Sequence, residues 1–183
     1  MSATLEEASI AASGQSEPHE NRPACEDSPM NHDAVMEEYL AGLGLLRRAV
    51  AGMTRDQLLA RPIPGKWSTQ GVVCHVADYE PIYADRMKRV IALKEPELLK
   101  GDPGLFAARL AYDRRDVEEE LALVEITRKQ MARILRALKP GDFQRQGGHS
   151  RDGALTLEVL LQRITAHIPH HVPFIEEKRR AMA

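Results

Sequence analysis

TLEVLLQRITAHIPHHVPFIEEKRR, residues 156–180, decides the fold of this chain. Taking Ile164 as the centre and stepping about 100° per residue, Leu157, Leu160, Leu161, Ile168 and Ile175 fall on one side. Such a stripe is what a helix buries against other helices. Thr156 stands where an N-cap belongs, so a helix is expected over about 157–180. His171 lies near the middle of the stripe, His167 at its edge and His170 further round, on the flank. Pro169 and Pro173 each remove an intrahelical hydrogen bond, at about 3 kcal/mol in a helix interior. Phe174, Ile175 and the run EEKRRA nevertheless continue the helical pattern. The expectation is therefore a kink that re-aims the imidazoles, not a stop near residue 168.

A second patterned stretch lies far upstream, GVVCHVADYEPIY at residues 71–83. Val72, Tyr79, Ile82, Tyr83 and Val90 define its stripe, and His75 falls within it. Ser68 is a natural N-cap for a helix over about 69–93. Residues four apart on a helix stack on one face, so His167 and His171 can grip one cation. His75 from a facing helix would complete three nitrogens with a fourth position open, the pattern of a catalytic metal. A lone histidine on an apolar stripe is ordinarily a core residue satisfied by a carbonyl or hydroxyl. Three in register are harder to explain that way, because each unpaired buried imidazole costs about 1–3 kcal/mol. A shared divalent ion, Zn²⁺ or Ni²⁺, is the preferred reading.

The rest of the chain reads as helices and loops, with no strand expected. A first helix over about 33–53 carries Val35, Met36, Leu40, Leu43, Leu46 and Val50 on one side. Thr54 and Gln57 have capping-box spacing, so TRDQLLA begins a short helical turn. RPIPGKWS breaks the helix, and EPELLKGDPG is a loop. A third helix spans about 105–139, with a break near Tyr112 and Asp113. The glycine-rich KPGDFQRQGGHSRDGAL leads to the last helix, and places His149 at the mouth of the site or in a turn cap. Four long amphipathic helices joined by loops imply an all-α, four-helix bundle over residues 31–183. Residues 1–30, rich in Ala, Ser, Glu and Pro with Arg22 as their one basic residue, read as a disordered acidic tail; they lack a secretory signal pattern, and their His19 is given no role.

The bulk numbers exclude some functions. With 183 residues and a net charge of -2, the chain shows no concentration of Lys and Arg for nucleic acid. No apolar run approaches the roughly 18 residues of a membrane span. Two cysteines, Cys25 and Cys74, make no disulfide framework and fit a cytoplasmic, reducing compartment. Cys74 adjoins His75 but points about 100° away on a helix, so it is read as an inert core thiol.

GKWSTQGVVCHVADYE, followed by Gly-His-Ser and LTLEVLLQRITAHIPHH, resembles the signature of the DinB-like, or YfiT-like, metal-dependent enzyme family over about residues 33–180. The resemblance implies an antiparallel four-helix bundle, often a homodimer, with metal ligands at His75, His167 and His171. It also implies a small-molecule substrate and transfer chemistry with a low-molecular-weight thiol. The prolines flanking His171 depart from the simplest family pattern. Metal-dependent hydrolysis is the alternative activity, and a non-catalytic metal- or ligand-binding bundle is a third reading. The DNA-damage role that the family's name suggests is disfavoured by the acidic charge balance.

Two arginines fall on apolar faces. Arg128 occupies a seam with Leu121, Val124, Met131, Leu135 and Leu138 stepping 3, 4, 3, 4, 3. Arg86 lies eleven residues after His75 on the same helix. Buried guanidinium groups need an anion. Asp78, Glu80, Asp113 or Glu120 could supply it, or one arginine could hold the carboxylate of a substrate or thiol cofactor. Asp78 and Glu80 could alternatively orient the histidines.

Overall fold

In the computed structural model, which describes residues 31–183, the chain forms α1 (His32–Val50), a short α2 (Arg55–Leu59) and α3 (Thr69–Ala92). A two-residue strand β1 (Glu97–Leu98) and a short helix α4 (Pro103–Arg109) precede α5 (Val117–Arg136). A 3-10 turn, β2 (Gln146–His149) and β3 (Gly153–Thr156) then lead into α6 (Leu157–Ala181). The tail over residues 1–30, with His19, Arg22 and Cys25, lies outside the described residues. No described helix is long and apolar enough to cross a membrane.

The capping signals act as the side chains dictate. Ser68 Oγ accepts the Gly71 N–H at 3.0 Å, and Thr156 Oγ1 accepts the Val159 N–H at 3.2 Å. Thr54 and Gln57 close a reciprocal capping box. The break expected near Tyr112 is present: α4 ends at Arg109, Ala111 takes a left-handed φ of 50°, and Asp116 caps α5. The last helix runs through Pro169 and Pro173, whose side chains both lie on its exposed side.

The bundle is built from two parallel pairs. His32 meets Glu158 at one end of α1 and α6, while Arg179 bonds the carbonyls of Ala49 and Ala51 at the other. These helices run in the same sense. Arg47 reaches Glu118 and Glu125, and Arg136 reaches Glu37, so α5 runs against α1. Tyr112 bonds Asp78 and Lys88 bonds Gln130, so α3 and α5 run together. A parallel neighbour needs a connection that travels the length of the bundle; residues 93–116, with β1 and α4, make that journey.

The expectation of no strand fails. The loops at 93–102 and 137–156 contain strands: β1 pairs parallel with β2, and β2 pairs antiparallel with β3. Gly148 N–H bonds Pro96 O at 2.9 Å. A Cβ at Gly147 would stand 2.9 Å from that same carbonyl, so close backbone approach holds the sheet together. No alternation of apolar and polar residues announces it.

Two apolar clusters fill the core, one around Met36, Met87, Leu135 and Leu160, the other around Leu46, Val73, Val124 and Ile175. A buried polar layer separates them. Arg128 donates to the Glu80 carboxylate and to the carbonyls of Tyr39 and Ile164. Gly42 on α1 makes room for this guanidinium, which a Cβ there would strike. Gly42→Ala is therefore expected to destabilise by about 1–3 kcal/mol through overpacking, against the roughly 1 kcal/mol that alanine normally adds in a helix. Chemical denaturation measures the sign.

Candidate metal centre

His75 projects from the first half of α3; His167 and His171 project from successive turns of α6, which packs against it. His167 Nε2 lies 3.2 Å from His75 Nε2 and 3.2 Å from His171 Nε2. All three ligand atoms lie within 4.8 Å of one another. A tetrahedral ion with Zn–N bonds of about 2.0–2.1 Å sets its nitrogens about 3.3 Å apart. Two edges of the triangle therefore already have nearly the right length. Neutral imidazoles cannot satisfy one another here if their lone pairs converge, and a cation can.

Burial keeps the rings neutral. Desolvation is the leading cause in each case, and it lowers His75 to about 4, His171 to about 3 and His167 to about 2. Neighbouring histidines lower His167 and His171 further, whereas Asp78 partly offsets the effect at His75. All three hold their lone pairs free at neutral pH. The sign of the stability effect follows. Unfolded histidine titrates near 6.5, so between about 6.5 and 4 the unfolded chain takes up protons that the folded site refuses. Metal-free stability should fall as pH drops through that window. Denaturation midpoints that stay level from pH 7 to 5 would contradict this.

Neither Asp78 nor Glu80 orients a ligand. Asp78 is taken by the Tyr112 hydroxyl at 2.7 Å and by Arg115 at 2.8 Å, and Glu80 by Arg128 and Tyr39. The Nδ1 atoms of His75 and His167 are buried without a hydrogen-bond partner. The rings are instead held by packing: Trp67 and Tyr79 flank His75, with centroids at 5.2 and 4.6 Å.

The remaining candidates divide clearly. His170 is exposed on the flank of α6, against Phe174, outside the convergent set. Cys74 is fully buried, its thiol pushed up to about 12 chiefly by desolvation, and it faces Tyr112 O. Arg128 is consumed by Glu80 in the core. Arg86 instead lines a cleft of about 260 Å³ that His75 and His167 also line. His149, at the end of β2, lines the same cleft.

Tyr79 lines it too, 5.6 Å from His167 between ring centroids. Sequence reading placed this residue only on the apolar stripe, although its i+4 spacing from His75 puts both on one face. Burial raises its phenol, so the hydroxyl stays protonated and able to donate. Lys100, Arg151 and Asp152, from segments without periodicity, and Arg163, from α6, complete the polar rim. Asp152 is lowered to about 2 by its bonds to Arg163 and Arg151, and is an anion throughout the physiological range.

Known proteins resemble this chain over most of its length. The DinB superfamily profile matches residues 39–175. A protein of Oceanobacillus iheyensis named as a candidate metal-dependent hydrolase is 27% identical over 131 residues, covering 72% of this chain and 76% of its own. YfiT of Bacillus subtilis, named likewise, is 29% identical over 149 residues, covering 81% and 82%. The solved structure of YfiT, described as a probable metal-dependent hydrolase with an unusual four-helix bundle topology, superposes with a TM-score of 0.79 at 25% identity. That match covers 87% of this chain and 93% of YfiT.

Proposed function

The chain belongs to the DinB superfamily, and we propose that it is a metal-dependent enzyme acting on a small molecule, with His75, His167 and His171 holding the ion. The observation that carries this reading is the convergence of three Nε2 atoms from two helices, with two edges of 3.2 Å. Their donor set, three neutral nitrogens, suits Zn²⁺ or Ni²⁺. An ion held by these three histidines would supply a Lewis acid and could activate water as a nucleophile near neutral pH.

The chain's own residues do the rest. Trp67 and Tyr79 exclude water from one side of His75 and fix its ring. Tyr79 lines the cleft, and its hydroxyl serves as a proton donor for a leaving group or a developing oxyanion. The cationic rim draws in small anions. Hydrolysis is favoured by the names of the relatives. Transfer with a low-molecular-weight thiol is the finer alternative, suggested by the family resemblance, with the thiolate rather than water as nucleophile.

One experiment separates them. Metal-loaded protein is incubated with activated esters, amides and alkylating electrophiles, with and without cysteine or glutathione. Turnover without thiol supports hydrolysis. Turnover only with thiol supports transfer, and no turnover in either arm leaves a binding protein. Tyr79→Phe is expected to lower kcat by about 10²-fold or more while leaving metal content unchanged, the range typical of a positioned proton donor.

A further inference from the structure

Arg86 is 5% exposed and has no carboxylate partner among the described residues. Its Nε and Nη2 both donate to Leu99 O, at 3.0 and 2.6 Å, and its guanidinium lies 4.9 Å from the Tyr83 ring. Nη1 makes no hydrogen bond among the described residues, in a side chain that lines the cleft. A buried cation normally finds an anion. Arg128, Arg115 and Arg163 all have one within the chain.

His149 supplies a second, independent observation. It is 6% exposed, and its Nδ1 accepts the Asp152 N–H at 3.2 Å. That bond puts the ring proton on Nε2, which is buried without a partner. The two N–H groups of Arg86 Nη1, on a full positive charge, and the Nε2–H of His149 therefore have no partner among the described residues, in side chains that line the cleft shared with His75 and His167. Around them stand Lys100, Arg151 and Arg163 against the single carboxylate Asp152.

We propose that Arg86 and His149 form an anion-recognition subsite beside the three-histidine centre, and that the substrate is a small molecule bearing a carboxylate. This deepens, and rests on, the reading of the centre as a metal-dependent enzyme site. A guanidinium edge and one imidazole N–H match the two oxygens of a carboxylate. The cleft volume of about 260 Å³ suits a compact molecule.

The test is an NMR titration of the full chain, labelled with ¹⁵N at histidine and arginine, with sodium acetate at constant ionic strength. It is run zinc-loaded and zinc-free, with sodium phosphate in a parallel arm. The expected result is saturable shifts of the His149 and Arg86 side-chain signals in both states, with acetate the tighter ligand. Arg86→Lys and His149→Ala should each weaken acetate by about 10-fold or more, with amide spectra and thermal midpoints reporting that the variants fold. Non-saturating shifts in the zinc-free chain, undiminished affinity in both variants, or phosphate binding more tightly than acetate would overturn the proposal. Acetate that saturates only the zinc-loaded chain, whatever residue 86 is, also overturns it, because the anion is then on the ion. Saturation by acetate in a chain that fails to bind zinc supports the subsite and removes the metal reading instead.

Discussion

Replacing His167 with alanine is expected to remove tight binding of divalent metal while leaving the metal-free fold close to intact. His167 Nε2 is the shared corner of the triangle, 3.2 Å from each of the other two Nε2 atoms. Its loss leaves two ligands on different helices. Residues that merely support a ligand change affinity by about 10–100-fold, so loss of the ligand itself should exceed about 100-fold. Zinc at about 1,000 times its Kd should stabilise the parent chain by about 4 kcal/mol, and that increment should vanish in the variant. The metal-free stability should change little. His167 keeps a buried Nδ1 without a partner, at a cost of about 1–3 kcal/mol, which offsets much of what the shorter side chain loses in packing. Thermal melts with and without zinc measure both effects. A large fall in metal-free stability would mark His167 as an ordinary core residue.

The second large effect belongs to the polar layer. Glu80→Gln should destabilise the bundle by about 3–5 kcal/mol, because it leaves the Arg128 charge buried without its counter-ion. For a domain of this size that corresponds to a melting point lower by about 6–20 °C. Replacing the pair together, Glu80→Leu with Arg128→Met, should recover most of the loss or exceed the parent, since a well-packed apolar pair avoids the desolvation of both charges. The same double variant should retain zinc, because neither residue hydrogen-bonds the three histidines. A loss of metal with the fold intact would instead tie the polar layer to the site.

What was legible in the sequence was whatever helical period carries. Ile164 and its neighbours, Ser68, Thr156 and the Thr54–Gln57 pair are local signals, and they fixed the helices and their starts. The register of His75 with His167 and His171 was legible for the same reason, as was Glu80 among the partners open to Arg128. Features made by loops were not. The pairing of Pro96 with Gly148 depends on two segments brought together by a crossover, with no alternation to reveal it. The parallel sense of α1 with α6 depends on that crossover also. Asp78 stood open between pairing with a buried arginine and orienting the histidines; Arg115 and Tyr112, arriving from the break before α5, claim it. Arg86 and His149 were singled out separately, and only the fold shows that they share a cleft.

X-ray absorption at the zinc edge, on full-length protein without an affinity tag, loaded with one equivalent of zinc and passed free of chelator, tests the central claim most directly. The account predicts three imidazole nitrogens at about 2.0–2.1 Å with one further light ligand, a four-coordinate site. A shell of six oxygens, or fewer than two imidazoles around the ion, would contradict it.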